Sequence, residues 1–107
     1  MINVLTKREY TGQNFDILLA SGAEEGDKFG TFKQMLKVKD SNGKTIAGKY
    51  LKGAKAFATL MMMREKEDAD GKVTKVPYYF KVFSYNEILE VYKNNVIAQS
   101  QEIKEAA

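Results

Sequence analysis

Two dipeptides, Asn42-Gly43 and Asp70-Gly71, constrain the fold of this chain more than any other feature in it. Asparagine or aspartate followed by glycine tolerates the positive backbone φ of a tight β-turn, and flanking strand-like runs make the pair a hairpin signal. Ahead of Asn42, Phe32, Gln34, Leu36 and Val38 alternate with Lys33, Met35, Lys37 and Lys39. Residues 31–40 are therefore predicted to form a strand with one core face and one basic face, returning through Thr45 to Leu51 with Lys49 and Lys52 beside Tyr50. Around Asp70-Gly71, Val73 to Phe83 is rich in β-branched and aromatic residues. Lys55 to Arg64 is read as the partner arm of a second, long hairpin despite its helix-favouring Ala, Leu and Met.

Upstream, Ile2 to Tyr10 opens with alternation and reads as a first strand. Phe15 to Ala20 is too short for a stable helix and stops at Ser21-Gly22, so a strand is preferred over a helical turn. Downstream, Ser84-Tyr85-Asn86-Glu87 matches a capping box. Ile88, Leu89, Tyr92, Val96, Gln99 and Ile103 follow at spacings of mostly three or four, which predicts an amphipathic helix over about residues 85–105. Its expected task is to cover an open end or edge of the sheet, with a dimer contact as the alternative. Sequential strands must hide their edges. The predicted fold is mainly β, a small antiparallel OB-like β-barrel of five to six strands with a C-terminal α-helix, and residues 1–107 form one domain. An open antiparallel sheet backed by the helix is the second choice.

Chemistry is limited by what is missing. With no cysteine and no histidine, thiolate nucleophiles, imidazole bases and most zinc sites are excluded. The acidic residues cluster in turn-like runs, 24–27 and 65–70, which read as solvated loops. Gly22 to Gly30 lacks the spacing of a phosphate loop. The expectation is a protein that is not an enzyme, with no cofactor and no metal. No apolar stretch is long enough to cross a bilayer, and Lys7, Arg8 and Glu9 interrupt any leader-like layout, which points to a cytoplasmic protein with no membrane partner.

Charge is unevenly spread. From Lys28 to Lys55 eight lysines face the single acid Asp40, although the whole chain carries only +3. Adjacent strands would gather them into one positive surface that attracts polyanions; the plainer reading is that lysines keep strands soluble and block edge pairing. In Tyr78-Tyr79-Phe80-Lys81-Val82-Phe83, alternation sends Tyr78, Phe80 and Val82 toward a core. The same alternation leaves Tyr79, Lys81 and Phe83 on the other face, where rings can stack on unpaired bases unless both faces are buried. Pro77 belongs at a strand start or an edge. Tyr10, Phe29 and Tyr50 are further candidate rings for which packing is favoured, and Met61-Met62-Met63 reads as core filling.

The glycine-interrupted first strand, Phe29-Gly30-Thr31-Phe32 ahead of a lysine-bearing strand, and two hairpins ending in Tyr79, Lys81 and Phe83 resemble small OB-fold single-stranded DNA-binding proteins of phages or plasmids. The resemblance spans about residues 2 to 85. It implies sequence-independent coating of single strands, no cofactor and frequent dimers. The expected partner is thus single-stranded DNA, with RNA as an alternative and a homodimer as an option. Lys33, Lys37, Lys39, Lys49, Lys55 and Lys81 are placed against phosphates, and Tyr50, Tyr79 and Phe83 against bases. The competing reading is a phage or mobile-element accessory module that docks on a host protein.

Overall fold

The computed structural model describes residues 1–40 and 42–106, with side chains through residue 98. Its frame is a mixed four-stranded sheet in the order β1-β2-β4-β3, formed by β1 (Ile2–Asn3), β2 (Lys28–Gly30), β3 (Ala58–Glu67) and β4 (Val73–Ser84). β1 runs parallel to β2, and the other neighbours are antiparallel. Three helices complete it, α1 (Gly12–Ala20), α2 (Phe32–Met35) and α3 (Tyr85–Ala106), with a 3-10 turn at Gly48–Leu51. The chain is β-rich and carries the expected C-terminal helix. The sheet is open, not a closed barrel of five to six strands, because three of the expected strands form other structures.

The first correction is at Ile2 to Tyr10. Only Ile2–Asn3 is strand, because Asn3 Oδ1 accepts the backbone N–H groups of Leu5 and Thr6 and folds the chain back. The reversal brings Glu9 opposite Ile2 and places Lys7 at a φ of 63°. The second is α1, expected as a strand. Gly22 at φ 100° donates to Leu19 O, and Ala23 donates to Leu18 O, which is the glycine-terminated end of a helix. Leu18 and Ala23 then bury together.

The third concerns residues 31–51. Thr31 Oγ1 accepts from Gln34 N, and Gln34 Oε1 accepts from Thr31 N, so a reciprocal cap starts α2 where alternation had suggested a strand. Helical geometry buries Met35, assigned above to the basic face, and leaves Phe32 exposed. The Asn42-Gly43 reversal is real, with Asp40 N donating to Lys44 O and Gly43 at φ 76°, but one bridge, Lys39 to Thr45, is all the pairing it supports.

The second hairpin forms as expected. Ten pairs run from Ala58↔Val82 to Glu67↔Val73. Asp68 Oδ1 ties the tip by accepting from the backbones of Asp70 and Lys72. α3 starts directly after Ser84, the position that the capping pattern marks. Its stripe members Gln99 and Ile103 and the tail 101–107 lie outside the described side chains.

The core has two parts. Leu18, Ala23, Phe29, Leu60 and Val82 form one cluster, while Val4, Met35, Leu51 and Ile88 form another joined by Phe83 and Tyr92. Val82 and Phe83 alternate along β4, so the clusters lie on opposite faces of the sheet. Gly30 lets Val4 of the second cluster approach the sheet closely: a Cβ there would lie 2.9 Å from Val4 Cγ1. Past Leu60 the hairpin loses this support, and Met62 to Lys75 is exposed on both faces. This projecting arm, together with α3, gives a radius of gyration of 17.5 Å, against about 13 Å for a compact domain of this length.

Candidate nucleic-acid interface

The residues singled out from sequence do not form one strand surface. Lys33 lies on α2, Lys37 in the turn after it, Lys39 at its bridge to Thr45, Lys49 and Tyr50 on the 3-10 turn, and Lys55 in the loop before β3. All five lysines are exposed. Lys37 and Lys39 do converge with Lys7 around a depression of about 300 Å³. Tyr50 packs edge-on against Tyr92 with ring centroids 5.5 Å apart, and its carbonyl accepts from Asn95 Nδ2 at 2.6 Å. Lys49 Nζ sits 5.0 Å from the Tyr50 ring. Phe83 meets Phe32 at 5.9 Å and joins the α3-side cluster. Of the three rings proposed to stack, only Tyr79 stands open, at 64% exposure with exposed Lys81 two positions along. Tyr10, Phe29 and Tyr50 pack, as favoured, whereas Met62 and Met63 are exposed and do not fill a core.

The opposite face of β4, assigned to the core, carries the better site. Leu60, Met62, Arg64 and Lys66 on β3 face Phe80, Tyr78, Val76 and Thr74 on β4. The paired residues of this face, at alternate positions within 60–66 and 74–80, include no acid. The Arg64 guanidinium stands 3.7 Å from the Tyr78 ring centroid, a stacked cation–π contact. Tyr78 and Phe80 are inclined by only 20°, with centroids 6.3 Å apart. Val82 alone of the expected core set is fully buried; Phe80 is half-buried and Tyr78 is 40% exposed.

Across from these rings lies the folded-back N-terminal segment. Arg8, Thr6 and Glu9 rim a groove of about 340 Å³ whose floor holds Asn3, Tyr10 and Gln34. That floor is tightly bonded. Asn3 Nδ2 donates to Tyr10 Oη at 3.0 Å, and Tyr10 Oη donates to Phe29 O at 3.2 Å. Burial pushes the Tyr10 phenol above its usual pKa, partly offset by the Asn3 hydrogen bond. A groove with a flat cation over one ring, a second near-parallel ring and a rim arginine suits a planar, anionic polymer.

Compared with protein-family models, curated proteins and solved structures, the chain matches none. Among the described residues no three potential metal ligands come together, and no helix is long and apolar enough to cross a membrane. Alternation alone reads residues 6–10 as straight strand, which hides the groove. The signal available was Asn3 two and three residues before Leu5 and Thr6, an Asx-turn spacing, together with Thr31-x-x-Gln34.

Proposed function

We propose that this chain is a sequence-independent single-stranded DNA-binding protein that coats or protects single strands during phage or plasmid replication or recombination. One observation carries the reading: Arg64 stacked on Tyr78, beside Phe80, on paired strand residues without acids that open into a groove rimmed by Arg8, Thr6 and Glu9. Stacking on a ring contributes about 1–3 kcal/mol per base whatever the base, and guanidinium groups meet phosphates. The lysines of residues 28–55 add long-range attraction, and Tyr79 with Lys81 offers a second contact on the reverse of the arm.

The test is a fluorescence titration with a thymidine oligonucleotide over a range of salt. Three or four phosphates neutralised give a slope of about −2 to −3 in log K against log salt. A flat salt response, or no binding at low salt, overturns the proposal. The accessory-module reading is favoured by a different observation, the exposed Met62, Met63, Val73 and Tyr79 on an arm that no described residue covers. A single stoichiometric protein partner and indifference to nucleic acid select that reading instead.

A further inference from the structure

The hydrogen bonds at the groove floor determine which way each amide points. Leu5 and Thr6 donate to Asn3 Oδ1, both at 2.9 Å, so Nδ2 is the donating end of Asn3. Its two hydrogens go to Tyr10 Oη and, at 2.8 Å, to Gln34 Oε1. Gln34 Oε1 also accepts from Thr31 N at 3.0 Å. Two donors converge on one atom, which must be the carbonyl oxygen, and Nε2 is therefore the opposite end.

Nothing among the described residues accepts a hydrogen bond from that Nε2. Gln34 is half-buried, and no buried side-chain nitrogen or oxygen among the described residues lacks a partner. Nε2 is consequently open to solvent, on a residue that lines the groove. Asn3 has spent both oxygen lone pairs and both hydrogens, and the Tyr10 hydroxyl hydrogen is spent on Phe29 O. Of the two amides in the floor, only the Gln34 Nε2 end is unspent, and that end only donates.

A glutamine with both ends free reads adenine by donating and accepting at once. Here the fold has consumed the accepting half. We propose that Gln34 makes the groove favour bases with a keto oxygen at pyrimidine C4 or purine C6, namely thymine, uracil and guanine, over cytosine and adenine, which carry an amino group there; this rests on the single-strand reading above. A keto oxygen accepts from Nε2. An exocyclic amino group brings donor against donor and leaves both short of the water they gave up.

Gln34→Glu is the discriminating substitution, because a carboxylate still accepts from Asn3 Nδ2 and Thr31 N and still completes the reciprocal cap. It replaces the free donor with an acceptor. The wild-type protein is expected to bind a homothymidine oligonucleotide about three- to tenfold more tightly than homocytidine of equal length. In Gln34→Glu both affinities fall through the added negative charge, the thymidine preference vanishes or inverts, and circular dichroism stays unchanged. Equal affinities in the wild type, or a preference that survives the substitution, overturn the inference while leaving the interface intact. Failure of the wild type to bind either oligonucleotide removes the interface itself, and this inference with it.

Discussion

Tyr10 joins the groove to the stability of the fold. Its phenol is held neutral to a higher pH than in an unfolded chain, because burial disfavours the phenolate. The folded state thus keeps its proton after the unfolded state has lost one, and this contribution is complete below about pH 10 and is lost as pH rises through the folded value. Thermal melts of Tyr10→Phe are expected to show a shallower alkaline decline. At neutral pH the same variant loses about 1 kcal/mol, since Asn3 Nδ2 and Phe29 O each lose a partner. For the ligand, Tyr78→Ala is expected to cost about 1–3 kcal/mol of single-strand affinity with little change in melting temperature, as the ring is 40% exposed. An unchanged dissociation constant would remove Tyr78 from the interface. Gly30→Ala affects stability instead, because the new Cβ falls 2.9 Å from Val4 Cγ1, a side chain only 2% exposed, and 3.3 Å from Gln34 Oε1. A loss of about 1–3 kcal/mol in chemical denaturation is expected.

The β3–β4 hairpin shows how one element can hold two degrees of order. At its base Leu60 and Val82 are fully buried, whereas from Met62 to Lys75 neither face is covered. Asn14 guards the outer edge of β3 by pairing with both Met61 N and Met61 O, at 3.0 and 2.9 Å. Because Met61 turns its backbone outward, Met61↔Tyr79 is a non-hydrogen-bonded pair, and so is Met63↔Pro77 two residues on. Pro77 therefore sits within β4 without costing the hairpin a bond, which satisfies the edge rule inferred from sequence in a place the sequence did not indicate. Native-state hydrogen exchange should find the arm amides beyond Met62 opening well below the global unfolding free energy, with the amides near Leu60 exchanging only on global unfolding. Asp68→Ala removes the acceptor for two tip amides and should loosen the arm alone. Equal protection along the whole hairpin would show that the arm is supported by something beyond its own ladder.

Across the whole molecule, two small cores on opposite faces of one sheet share β4, through Val82 on one side and Phe83 on the other. Truncating either core should unfold both. Leu18→Ala and Ile88→Ala are each expected to cost about 2–5 kcal/mol within a single cooperative transition; two separable transitions would mean that the faces fold independently. What the sequence determined is what local chemistry can decide. Asp70-Gly71 ahead of the β-prone run 73–83 calls for a hairpin even though its other arm favours helix by propensity, and Ser84-Tyr85-Asn86-Glu87 marks where the last helix begins. Absent cysteine and histidine narrow the chemistry in any fold. The tertiary structure decided the rest. Residues 31–40 carried both a strand alternation and a Thr31–Gln34 cap, and the helix prevailed because it buries Met35 against Val4, Leu51 and Ile88. Which face of β4 became core and which became groove was also beyond the sequence. A pleat makes two equivalent faces, and only packing by α1 on one side and by α2 and α3 on the other assigns them, leaving Tyr78 and Arg64 open where the helices end.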